Sequence, residues 1–315
     1  MTRSLVLARE LADLGHSVRL AGTGANEVSK TIKSLSDLAA TNLTEPFQTQ
    51  ERLNLISATH PDLVVVDGYH FDSTLFAFMD NAGIRYGLID DGSQTHASNP
   101  AFILNQNANA SAEMYRVRFP NASLLLGLEY ALLRKEFVEA LGQKEQGPPR
   151  PYVMVSLGGS DVAGLSTSIV RLLWERGLPV RVAIGAAVPN RERVLSEAIS
   201  YPGVQPVNQS EFEITMANCK FCVIAAGSSL WEAVYLGVPT LALIVAENQV
   251  EPALKALDGS SKLRVVNTLE TPPDPSELIS AFDDLLRIAE ESTDIRRRGV
   301  SPARRAAGLI AAECR

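Results

Sequence analysis

The chain has 315 residues, 46% of them hydrophobic and 21% charged, with a formal net charge of −7 and only three cysteines. That length suits two domains of ordinary size and supplies ample apolar material for packed cores. The acidic balance argues against a broad nucleic-acid surface, and three cysteines argue against a disulfide framework and for a reducing compartment.

The chain opens "MTRSLVLARELADLGHSVRLAG". Leu5, Ala8, Leu11 and Ala12, with Leu14 close by, share one face of a helix, which Gly15 ends before a short strand over Ser17 to Ala21. The reading therefore starts inside a βαβ unit, with a helix but no strand ahead of it. Strand-length apolar runs then recur: "DLVVVDG" (62–68), "YGLIDDG" (86–92) and "AFILNQN" (101–107), followed by "YVMVSLGG" (152–159), "PVRVAIG" (179–185), "KFCVIAAG" (220–227) and "PTLALIVAEN" (239–248). They are continuous rather than alternating, as parallel strands covered on both faces are. Helical stretches such as Leu165 to Arg176 and Ser228 to Leu236 lie between them, so the pattern predicts doubly wound α/β architecture.

"GQKEQGPPRP" (142–151) is polar, rich in Gly and Pro, and reads as a linker. The expected domains are thus 1–147, read as lacking its first strand, and 148–315, which carries the C-terminal helices. The arginine-rich tail is expected to pack back on the body. No apolar run approaches the ~20 residues of a membrane span, and no signal peptide is seen, so a cytoplasmic protein without membrane insertion is expected.

Cys219 and Cys222 have CxxC spacing, but no further ligands stand at metal spacing, and the pair leads into a strand instead of opening a helix. They read as buried small residues, and no metal site is predicted.

In open α/β sheets ligands bind beyond the carboxyl ends of the strands. Those positions carry Asp67 to Asp72, Asp90 to His96, Gly158-Gly159-Ser160-Asp161, Gly227-Ser228-Ser229 with Glu232, and Glu247-Asn248-Gln249, which together predict a ligand cleft between the domains. "AAGSSLWEAVYLGVP" (225–239) is the sharpest segment. Gly227 permits close approach, Ser228 and Ser229 open a helix whose free N–H groups suit a diphosphate, and Glu232 lies one turn in, within reach of ribose hydroxyls. The alternative is that Ser228 caps the helix and Glu232 completes a capping box. No GxGxxG follows a strand and no GxxxxGK[ST] appears, which disfavours a nicotinamide cofactor and a P-loop.

"LLLGLEYALLRKEF" (124–137), "VSLGGSD" (155–161), "AAGSSLWEAVYLGVP" and "AENQ" (246–249) occur in the order seen in UDP-sugar hydrolases of the pseudaminic acid pathway, and the chain resembles that family over nearly its whole length. "VVVDGYHFD", "IDDGSQTHA" and "ILNQN" add to the likeness in the first half. The family acts on UDP-2,4-diacetamido-2,4,6-trideoxy-β-L-altropyranose and is similar to GT-B glycosyltransferases such as the one that completes lipid II. The resemblance implies two Rossmann-like domains facing a cleft, with UDP held mainly by the second. Gly158, Gly159 and Asp161 would border the substrate, Gly227, Ser228 and Ser229 the diphosphate, and Glu232 the ribose. Tyr69 and Asn248 would line the sugar site, and Gln249 is a further substrate-binding candidate. Water would attack the anomeric carbon with UDP leaving, and no metal or cofactor is demanded.

Relatives begin with a strand and a "GxGHxxR" loop whose His is the presumed general base, whereas Thr2-Arg3-Ser4-Leu5 matches the residues that follow that His. Two expectations follow: translation begins upstream of Met1, or the shorter chain is real and has lost or relocated its base, with His70 and His96 as candidates beside Tyr69 for a relocated one. A second departure is that Gly68, where many relatives have His, precedes Tyr69. Three functions are weighed: hydrolysis of a UDP-sugar, transfer by a GT-B glycosyltransferase, and non-catalytic binding of a nucleotide sugar. The oligomeric state is open.

Overall fold

The Val, Ile and Leu runs are strands in the computed structural model, and every strand pairing is parallel. The structure describes residues 2–22, 39–42, 49–68, 71–91, 96–143, 150–270, 273–291 and 301–314. The chain divides into two compact units, Met1–Arg134 with Gly299–Arg315, and Lys135–Arg298.

The first unit runs α1 (Thr2–Ala12), β1 (Arg19–Gly22), β2 (Ala39–Asn42), α2 (Thr49–Thr59), β3 (Leu63–Asp67), α3 (Ser73–Asn81), β4 (Arg85–Ile89), β5 (Phe102–Asn105), α4 (Glu113–Arg116) and β6 (Ser123–Leu126). Strands β3 to β6 lie side by side in sequence order, while β1 and β2 form a separate pair. A cavity of about 860 Å³ is lined by Leu5, Leu20, Ile56, Val64 and Val66 from α1, β1, α2 and β3. Between β4 and β5 the packing is close: a Cβ on Gly87 would stand 2.0 Å from the Phe102 ring, its neighbour in register.

Helix α1 buries Leu5, Leu7 and Leu11 and is tied to the end of β3, where Arg3 Nε donates to Asp67 Oδ1 at 2.8 Å and the Ser4 hydroxyl donates to Asp67 Oδ2. It is covered by a helix from the far end of the chain. The second unit runs α5 (Lys135–Gln143), β7 (Val153–Ser156), α6 (Ser166–Glu175), β8 (Val180–Val182), α7 (Arg191–Ile199), β9 (Val204–Pro206), α8 (Phe212–Asn218), β10 (Cys222–Ala225), α9 (Ser228–Leu236), β11 (Thr240–Ile244), α10 (Val250–Asp258), β12 (Leu263–Asn267) and α11 (Pro275–Glu291). The chain then ends in α12 (Pro302–Ala312). Ala303, Ala306, Ala307 and Ile310 sit on one face of α12 and pack with Val6, Leu7 and Leu11, while Arg304 reaches Glu10 and Arg305 reaches Glu129.

This division differs from the one read at 147/148. The chain changes unit ahead of α5, whose Phe137 meets Phe212 of α8 edge-on at 6.3 Å, because α5 is amphipathic and buries its face in the second unit. Helix α12 belongs to the first unit because its alanine face fits α1. Residues 144–149 of the expected linker and 292–300 of the tail lie outside the described residues.

The second unit's sheet has the order β12-β11-β10-β7-β8-β9. Chain order reverses between β7 and β10, the arrangement in which crossovers leave in opposite directions and open a crevice at the carboxyl ends of those two strands. Its core joins Val153, Val155, Val223, Leu241, Leu243 and Phe282, with Phe221 stacked on Phe282 at 5.9 Å.

Candidate functional site

At the reversal three loops of the second unit follow neighbouring strands, those after β7, β10 and β11. After β7 comes Gly158 with φ +81°, a left-handed conformation that glycine adopts freely, then exposed Gly159. After β10, Gly227 is the residue before α9. No side chain caps that helix, so Ser228 is its exposed first residue and not a cap. The capping-box alternative is thereby not realised. A helix start of this kind leaves its first N–H groups and the positive end of its dipole available to an anion. Gly237, at φ +66°, closes the other end of α9 with its N–H on the carbonyls of Ala233 and Val234.

After β11, Glu247–Gln249 make one 3-10 turn that presents Asn248 to solvent and turns Gln249 inward. Gln249 Oε1 accepts the Val245 N–H at 2.9 Å. Its Nε2 lies 3.7 Å from where a Cβ on Gly227 would stand, so Gln249 links the β11 end to the start of α9. Among the described residues the side chains of Ser228, Ser229 and Asn248 take no hydrogen bond. Glu232, one turn into α9, is 8% exposed. The structure thus brings Gly158, Gly159, Gly227, Ser228, Ser229, Asn248 and Gln249 to three neighbouring strand ends.

Asp161 is placed differently. Its carboxylate accepts the N–H groups of Leu165 at 3.1 Å and Ser166 at 3.0 Å, so both oxygens serve the start of α6. Buried and at φ +42°, it shapes the glycine turn. Tyr69 and His70 lie outside the described residues. His96 is exposed on the connection from β4 to β5 in the first unit. Directly after it, the N–H groups of Ser98 and Asn99 donate to the hydroxyl of Tyr86, the second residue of β4.

Sequence reasoning missed a buried polar cluster in the first unit. The Tyr115 hydroxyl donates to Asp90 Oδ2 at 3.1 Å, and Asn105 Nδ2 donates to that hydroxyl at 2.7 Å. Burial, and then the Asp90 charge, push the Tyr115 phenol well above its ordinary range. The Asn105 carbonyl oxygen receives the Asn107 N–H, and Gln106 Oε1 receives that of Leu132. The signal was "ILNQN", an apolar strand that runs straight into amides with no turn residue between. The thiols of Cys219 and Cys222 are buried beside Met216 O and Thr240 Oγ1.

Two Rossmann-like parallel α/β units make this a GT-B-like fold. The chain aligns with a structure of Arabidopsis thaliana UGT89C1 complexed with UDP at a TM-score of 0.64 and 13% identity, covering 100% of this chain and 96% of that one. For the glycosyltransferase SnogD of Streptomyces nogalater the TM-score is 0.60 at 15% identity, with 99% and 96% covered. For the Methanocaldococcus jannaschii UDP-GlcNAc 2-epimerase, in complex with UDP-GlcNAc and UDP, it is 0.60 at 11% identity, with 93% and 99% covered. At these identities the likeness is one of fold. In sequence the chain is 25% identical over 148 residues to the spore coat polysaccharide biosynthesis protein SpsG of Bacillus subtilis (strain 168), a stretch covering 45% of this chain and 44% of that protein. No protein-family model matches. No helix among the described residues is long and apolar enough to cross a membrane.

Proposed function

We propose that the second unit binds the UDP moiety of a UDP-sugar and that the chain releases UDP by hydrolysis. Ser228, Ser229 and the first N–H groups of α9 hold the diphosphate, Gly158 and Gly159 let the main chain approach it, and Glu232 serves the ribose. Asn248 lines the sugar, and Gln249 borders the start of α9 as a further substrate-binding side chain. Water attacks the anomeric carbon, its proton passes to a base, and the bond from that carbon to the diphosphate oxygen breaks, its electron pair leaving with UDP. Fixed N–H groups and the dipole of α9 stabilise the charge that grows on the leaving diphosphate, so no metal is called for. Tyr69, His70 and His96 are the side chains proposed for the catalytic step. The resemblance to pseudaminic acid pathway hydrolases points to UDP-2,4-diacetamido-2,4,6-trideoxy-β-L-altropyranose or a similar sugar.

The observation that supports this most is the uncapped start of α9 beside Ser228 and Ser229 at the strand-order reversal. The test is incubation of the purified chain with UDP-sugars, the diacetamido sugar included, with chromatography of free UDP. UDP formed without an acceptor, and lost in His70→Ala or His96→Ala, supports hydrolysis; binding without turnover leaves a nucleotide-sugar-binding protein. Transfer is the second reading, favoured by the fold shared with the glycosyltransferase SnogD. It requires UDP release to depend on an added acceptor.

A further inference from the structure

Gly185 lies outside every loop assigned to the ligand, on the segment that follows β8. A Cβ added to it would stand 2.2 Å from Gly159 O, 2.4 Å from Gly158 O and 2.5 Å from Gly159 C. All three are backbone atoms, so no side chain can swing aside to make room. The same segment donates a hydrogen bond to the turn, from the Ala187 N–H to Gly159 O at 2.9 Å. Below it, β8 is fastened to β7 through the Val155–Val182 pairing and the Ala183 N–H on Val155 O at 2.9 Å.

In a trans peptide the carbonyl and the following N–H point to opposite sides. With the carbonyls of Gly158 and Gly159 held against Gly185 and Ala187, the N–H groups of Gly159 and Ser160 turn away from the β8 side. In the sheet order the strand on that other side of β7 is β10, which leads to Ser228 and Ser229. The backbone fit at Gly185 therefore sets which way two amide donors of the glycine turn face.

We propose that Gly185 is a positioning residue for phosphate recognition: by packing without a side chain against the Gly158 and Gly159 carbonyls, it aims the N–H groups of Gly159 and Ser160 at the diphosphate. This rests on the UDP reading above. Gly185→Ala drives the turn from its place, since the added carbon falls more than about 1 Å short of ordinary contact. Amide N–H bonds to a charged phosphate weaken steeply with distance and angle, so a displacement of that size costs affinity.

The experiment is calorimetric titration with UDP and with uridine, which lacks the diphosphate, on the parent chain, Gly185→Ala, Ala187→Pro and Val188→Ala, each with its melting curve. Ala187 is exposed, so Ala187→Pro removes the N–H that holds Gly159 O without touching the core, and it serves if Gly185→Ala does not fold. Val188 is buried in the same segment, so Val188→Ala loosens packing without altering the turn contact. The expected result is at least about a 10-fold loss of UDP affinity in Gly185→Ala and a smaller loss in Ala187→Pro, with uridine binding unchanged in both and UDP binding retained in Val188→Ala. The proposal is overturned if UDP binds Ala187→Pro and any folded Gly185→Ala as it binds the parent. It is equally overturned if UDP and uridine weaken together, or if Val188→Ala loses as much. A parent chain that binds no UDP overturns the underlying reading instead.

Discussion

Gln249 Oε1 accepts the main-chain N–H of Val245 at 2.9 Å, and the other end of the same amide faces Gly227. One side chain thereby braces the turn after β11 and borders the start of α9. The two halves of that role separate on substitution. Gln249→Glu keeps an acceptor for Val245 but sets a negative charge beside the proposed phosphate site, so UDP affinity should fall by more than about 10-fold, as one like-charge contact near the phosphates costs over 1.4 kcal/mol. Its melting temperature should stay near that of the parent. Gln249→Ala removes the brace, and the lost hydrogen bond, worth about 1 kcal/mol, should lower the melting temperature by about 2–4 °C. Calorimetry and melting on the two variants check this; equal UDP binding in parent and Gln249→Glu would take Gln249 out of the site.

Arg3 and Asp67 join the first turn of α1 to the last residue of β3 through a pair at 2.6 Å, with the carboxylate side chain 9% exposed. Removing the guanidinium leaves that carboxylate with the Ser4 hydroxyl and little water. Arg3→Ala should cost about 1–3 kcal/mol, the range for stranding a mostly buried partner. The Arg3→Ala/Asp67→Asn double variant should cost less than the sum of the single ones, because the stranded charge is gone. Additive losses in denaturant titrations would mean that the pair is not coupled.

The α/β class, the strand runs and the glycine turns at the strand ends were legible because each rests on local chemistry. Thr240–Ile244 is buried throughout because both faces are covered, and Leu241 to Ile244 are apolar to match, while Gly227 stands ahead of Ser228 where α9 starts without a side-chain cap. Helix α1 begins at Thr2, and its first turn is held by Asp67, sixty-odd residues on, through Arg3 and Ser4, a contact its local pattern does not announce. What was not legible is what long-range packing decides. A run of alanines such as Ala303, Ala306 and Ala307 marks a close-packed face but does not say which helix it meets. Asp161 reads like a ligand residue in "GGSD", and only its bonds to Leu165 and Ser166 reveal a cap. The Gly185 contact carries no signal in one sequence, since its partners are carbonyls, which every residue has.

The seating of α12 carries its own expectation. Its face of Ala303, Ala306, Ala307 and Ile310 covers Val6, Leu7 and Leu11, so a chain ended after residue 298 exposes both sides of that contact. Burial is worth about 25 cal/mol per Å² of apolar surface, which makes the loss several kcal/mol for a helix of this length. Hydrogen exchange should then rise across α1 and β4 to β6 while α9 and β10 keep their protection, because the truncation touches the first unit alone. Even loosening of both units would contradict this assignment of the helix.

The Tyr115 phenol is held above its ordinary range by burial and by Asp90, and this fixes a sign for the pH dependence of the first unit. In the unfolded chain a tyrosine ionises near pH 10, whereas in the folded chain it keeps its proton to higher pH. The unfolded state therefore binds fewer protons above about pH 10, and stability falls as pH rises through that range. Below it the contribution is fully present. Melting followed from pH 7 to 11 should show a steeper alkaline decline in the parent than in Tyr115→Phe, which has no proton to lose there. The variant should be less stable at neutral pH, because Asp90 Oδ2 loses a donor and Asn105 Nδ2 an acceptor. Parallel alkaline declines would show that the buried phenol does not set this limb of the curve.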